Sequence, residues 1–146
     1  MKKRIAWILI LVCVLGMVGC ASAAKKALYN EGPWGSQAIW TDNFEQLYLV
    51  CTKAEGDSSA TVTAYLPSFT GWDPMEFVLS KDASSVSFST NGRIAMEAKI
   101  RMEGEKLLLT EFSAPNGGIL PMNINLELTK YNYEEMLDKL PFTPSV

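Results

Sequence analysis

The sequence predicts an all-β domain: an antiparallel meander of about eight strands with one short C-terminal helix, most simply closed as an up-and-down barrel. Three observations carry this. Apolar residues recur with period two in segment after segment, as half-buried strands require. The joints between these segments carry Asn, Asp, Gly and Pro, the residues that make turns. None of the joints is long enough for a crossover helix, so neighbouring segments run antiparallel. A two-sheet sandwich is the alternative packing of the same strands.

The elements follow in chain order. "SQAIWT" and "QLYLVCTK" are short apolar runs separated by Asp42-Asn43. "ATVTAYL" places Val62, Ala64 and Leu66 on one side, and "EFVLS" follows after a break. "SVSFS" alternates Val86 and Phe88 with serines. It is joined to "RIAMEAKIRM" through Asn91-Gly92, the pair that supplies the positive φ angles of a type I′ hairpin turn. In that long segment Ile94, Met96, Ala98, Ile100 and Met102 fall on one face, with charged residues and Ala95 on the other. "KLLLTEF" follows Glu103-Gly104, and "MNINLEL" directs Met122, Ile124, Leu126 and Leu128 inward. "YNYEEMLDKL" is the one helix signal: Asn132 is placed to cap it, Glu134 and Glu135 suit its first turn, and Pro141 ends it.

The N-terminus has a different character. Lys2, Lys3 and Arg4 precede Ile5 to Gly19, a run without charge or proline, which is the pattern of an export signal. Val18-Gly19-Cys20, with Met17 one step further back, resembles the lipobox of bacterial lipoproteins. That resemblance implies that the Cys20 thiol receives a diacylglycerol and that the chain is cut just before it. Ala21-Ser22-Ala23 offers a second cleavage pattern for ordinary secretion, and residues 5–24, uncleaved, would be long enough to cross a bilayer. All three readings put the folded part outside the cytoplasm. The lipobox reading gives residues 1–19 as signal peptide, 20–27 as lipidated cysteine and flexible spacer, and 28–146 as one domain at the extracytoplasmic face of the cell membrane.

Cleavage before Cys20 leaves 10 basic against 16 acidic residues, a net charge of −6. That balance disfavours nucleic acid, which needs a basic footprint. It also gives no polybasic attraction to anionic lipid, so attachment falls to the acyl chains on Cys20, at about 0.8 kcal/mol per buried CH₂. Cys13 leaves with the signal, and Cys51 is left without a disulfide partner in an apolar run, as a small buried hydrophobe.

The sequence contains no histidine, which removes His-based triads, His-based zinc sites and histidine pH switching. Ser22 and Lys25 fit S-x-x-K, but in the cleavage region and without K-T-G downstream. "EGDSS" lacks the spacing of a calcium loop. Asp73 and Glu76 are the least ordinary carboxylate pair for glycoside chemistry, and solvated strand charges are the simpler reading. The chain is therefore expected not to be an enzyme and to use no cofactor or metal.

One segment points to binding. "YLPSFTGWDP", residues 65–74, reads as the longest irregular stretch between strands. Tyr65, Phe69, Trp72 and Asp73 are its candidate contact residues, since loop aromatics stack on sugars or apolar ligands and anchor protein partners. The alternative is that Phe69 and Trp72 fold back and plug one end of a barrel. Trp34 and Trp40 read as core.

Gly32-Pro33-Trp34 stands just before the first strand and resembles the G-x-W signature of lipocalins; together with the meander and terminal helix it is similar to lipocalin-like domains of small bacterial surface lipoproteins. The resemblance implies a barrel with little interior space, given the short chain. The expected function is a lipid-anchored extracytoplasmic β domain that binds a small apolar molecule, a glycan or an envelope protein. An accessory or inhibitor subunit of a larger membrane complex, with no ligand cavity, is the alternative.

Overall fold

The computed structural model describes residues 23–29, 37–53, 60–115 and 125–145. Eight strands form a closed barrel in sequential order: β1 (Ala38–Thr41), β2 (Tyr48–Thr52), β3 (Thr61–Ser68), β4 (Gly71–Leu79), β5 (Ser85–Thr90), β6 (Arg93–Glu103), β7 (Lys106–Ser113) and β8 (Leu126–Asn132). Every pairing is antiparallel, and β8 returns to pair with β1, from Ala38 opposite Asn132 to Thr41 opposite Thr129. A barrel rather than a sandwich results. The meander is compatible with a lipocalin-like fold. Two helical segments complete it: α1, residues 23–29, and α2, Tyr133–Leu137.

Period two decides the interior. Trp40, Leu49, Cys51, Val62, Ala64, Phe77, Val86, Phe88, Ala98, Ile100, Leu107, Leu109 and Leu128 point inward and form one continuous core. Phe77 packs edge-on against Phe88, with centroids 5.3 Å apart. β1 and β2 lack clean alternation because both of their faces are covered. Their outward residues Ile39, Tyr48 and Val50 are as buried as their inward ones, in a second cluster beneath α2 and the C-terminal tail.

Two irregularities bend the sheet. Phe88 pairs with Met96 but Ser89 with Ile94, so Ala95 is an extra residue on β6. Such a bulge reverses the side-chain alternation on its far side. Ile94, which strict alternation directs inward, is turned out and is 40% exposed. A second shift lies between Glu97 and Lys99, where Glu111 of β7 takes φ 53° and forms an ion pair with Lys99 at 3.0 Å. The β5–β6 turn has the expected form, with Asn91 at φ 51° and Gly92 at φ 74°. At α2, the Asn132 carboxamide oxygen accepts the N–H groups of Glu134 and Glu135.

The stretch of residues 65–74 is not irregular. β3 continues to Ser68, Phe69-Thr70 make a two-residue turn, and β4 starts at Gly71. Pro67 and Pro74 obscure this in the sequence. Counted from the turn-closing pair Ser68–Gly71, both fall at non-hydrogen-bonded pairs, Pro67 opposite Trp72 and Tyr65 opposite Pro74. The β3–β4 ladder does not need their missing N–H groups.

The barrel thus has two distinct ends. The hairpin end carries the β1–β2, β3–β4 and β5–β6 turns. The α1 end carries the β2–β3, β4–β5 and β6–β7 connections. There α1 inserts Ala24 and Leu28, both fully buried, into the core. The Tyr29 carbonyl accepts the Ala60 N–H at 2.6 Å, and the Tyr29 hydroxyl donates to the Phe77 carbonyl at 3.4 Å. Residues 23–27, read from the sequence as spacer, are helical and part of the packed body. Cys20, the Gly32-Pro33-Trp34 triplet, "EGDSS", Met122 and Ile124 lie outside the described residues.

Candidate functional site

The four candidate residues of the β3–β4 hairpin have different surroundings. Tyr65 and Trp72 point outward on neighbouring strands and meet in the second cluster. Phe142, from the tail, stacks on Tyr65 with centroids 4.2 Å apart and lies 5.4 Å from both Tyr48 and Trp72. Tyr48 packs edge-on against Trp72 at 5.2 Å. The Tyr65 hydroxyl accepts the Ser145 N–H at 2.9 Å, which ties the tail over the ring. Tyr65 is buried and Trp72 half-buried, so these two hold the base of the hairpin.

Phe69 and Asp73 are not part of that cluster. Phe69 stands at the tip with its ring wholly exposed, at 112% of the reference area. Neither aromatic plugs a barrel end. Asp73 is exposed. Strand alternation directs Asp73 and Glu76 to opposite faces, and the Glu76 carboxylate accepts the Ser89 hydroxyl at 3.2 Å, so these two carboxyls do not converge.

Two further apolar residues stand at the hairpin end. Phe44, 80% exposed, is on the β1–β2 turn, and the outward-turned Ile94 is next to the β5–β6 turn. The Asp42 carboxylate shapes the first of these turns. It accepts N–H groups from Phe44 at 3.1 Å, Gln46 at 2.7 Å and Leu47 at 3.1 Å. A short acceptor side chain closing its own turn in this way is the reason Asp42-Asn43 reads as a joint. Sequence reasoning missed Phe44 and Phe142. Phe44 follows a turn pair and Phe142 stands between Pro141 and Pro144, and neither position carries a periodic signal.

Within the barrel the described interior is filled by side chains. Cys51 is fully buried, and burial pushes its thiol up to about 12, out of the reactive range. Tyr48 is likewise pushed up to about 12, first by burial and then by the Glu45 and Asp42 carboxylates. Among the described residues, no group of three or more Cys, Asp or Glu side chains is placed to hold a metal ion.

A surface groove of about 670 Å³ opens at the α1 end. β7 pairs with β8 only over Leu107–Leu109, so the last residues of β8, from Thr129 on, have β1 alone as a neighbour. The groove lies in the gap, with Trp40 and Lys130 on one side, Met102 and the β6–β7 turn on the other, and Ala27 of α1 beside them. Comparison of the chain with family models, with curated proteins and with solved structures returns no match.

Proposed function

We propose that this chain is an extracytoplasmic docking domain, held at the membrane by acyl chains on Cys20, which engages an envelope protein through the hairpin end of its barrel. One observation carries the reading: a fully exposed phenylalanine on a two-residue turn whose base is clamped by four packed aromatic rings. An aromatic on a rigid mount loses little conformational entropy on binding, and such residues are the anchors of protein interfaces. Phe44 and Ile94, on turns of the same end, widen the apolar area. Binding of a small apolar molecule inside the barrel is the weaker reading, because the described interior is occupied by Trp40, Phe77, Phe88 and the leucines around them. This favours the accessory-subunit form of the function, in which no interior cavity is needed.

The test is a photo-crosslinking residue placed at position 69 in cells of the natural host, with position 78 on the outer barrel face as control. The expected result is one discrete protein adduct from position 69, absent from position 78 and lost when Phe44→Ser is added. Equal labelling from both positions, or none from 69, contradicts the reading.

A further inference from the structure

We propose that the groove at the α1 end seats the phosphodiester headgroup of a membrane phospholipid, with Lys130 as its cation and Trp40 as its apolar floor. The inference rests on the anchoring part of the function proposed above and adds a lipid site to it. Its first support is position. Cys20 is three residues before α1, at most about 10 Å of extended chain, and Ala27 of α1 lines the groove. An anchor at Cys20 therefore holds this end, and no other, against the headgroup layer.

The second support is chemistry. Lys106 is already paired with Glu127. Lys130 makes no ion pair among the described residues, and its ammonium stands 6.0 Å from the centre of the Trp40 ring. Trp40 is 1% exposed and its indole N–H has no acceptor among the described residues. A buried donor of this kind is costly, and a small movement of the ring towards a phosphate oxygen at Lys130 supplies the missing bond. Met102 and Ala27 extend the floor for the glycerol and the first acyl carbons. Glu105 is the only carboxylate of the lining and is also unpaired among the described residues. Its negative charge repels a dianion more than a monoanion, so the groove suits a singly charged diester better than doubly charged inorganic phosphate. Trp, Tyr131 and Lys together are the side chains that settle at a membrane interface.

The test uses the mature chain extracted from its own host into amphipol, titrated with dihexanoylphosphatidylglycerol while the Trp40 indole N–H is followed by NMR. A saturable shift is expected, weakened at least tenfold in Lys130→Gln, restored in Lys130→Arg, and not produced by inorganic phosphate. Lys130 is exposed, so its variants are expected to fold. No shift, a shift unchanged in Lys130→Gln, or an equal response to inorganic phosphate overturns the proposal. The intact mass of the same sample separates the two readings. Acylated Cys20 without a shift removes the groove alone, and a shift on an unacylated chain removes the anchor alone.

Discussion

At the scale of single residues, burial dictates what the side chains can do. Cys51 is the clearest case. It points into the core from β2 with its thiol held near 12, so at pH 8 it is protonated as well as enclosed. A thiol reagent is expected to leave Cys51 unmodified in the native chain at pH 8 and to label it fully in denaturant; rapid native labelling would contradict the packing of β2. Tyr48 makes a pH prediction of defined sign. Its folded-state value, about 12, is above the ordinary 10, so folding favours the protonated phenol. The stability that this contributes is fully present below pH 10 and is lost as the pH rises from 10 towards 12. Thermal melts are expected to fall across that window in the natural chain and to fall less in Tyr48→Phe. Both buried positions were legible as apolar in the sequence. The contrast between Tyr65 and Phe69 was not, because it depends on which residues occupy a two-residue turn and on a tail 80 residues away.

At the scale of elements, local rules were readable wherever one face of a strand meets water. β5, β6 and the turn between them follow alternation and Asn-Gly chemistry, and Gly92→Ala is expected to cost about 1 kcal/mol in urea unfolding because a side chain must take φ 74°. A cost near zero would mean that the turn relaxes without loss. Alternation is lost where two covering layers erase the period, although β1 and β2 still read as apolar strands, and two prolines make the β3–β4 hairpin read as irregular. β1 and β2 are buried on both faces, and β3–β4 carries Pro67 and Pro74 at pairs that do not use their nitrogens. The Ile94 reversal is likewise invisible in the sequence, since a bulge is a property of pairing and not of one strand. The tail is the element with the largest consequence. Phe142→Ala removes contacts with Tyr48, Tyr65 and Trp72, and is expected to destabilise the chain by about 2–3 kcal/mol. It is also expected to raise amide exchange in the Pro67–Pro74 tip more than in β6. Uniform exchange changes would mean that the tail does not brace the hairpin.

At the scale of the whole molecule, the barrel has two different ends. α1 closes one end and leads back to Cys20 within three residues. The opposite end presents Phe44, Phe69 and Ile94 to the surroundings. The closed all-β meander was readable from the sequence because the strand count and the short joints leave few other topologies. That α1 belongs to the body was not, since small residues such as Ala23 and Ala24 read equally as spacer or as close-packed helix. The polarity proposed above, with an anchored end and a docking end, depends on Cys20 being the attachment point. The measurement that tests this most directly is the intact mass of the chain extracted from membranes of its natural host, beside Cys20→Ala. The expected result is a chain that starts at Cys20 and carries added acyl mass, with the variant lacking that mass and released from the membrane. An unlipidated chain that starts after Ala23, identical in mass in both forms, would contradict it.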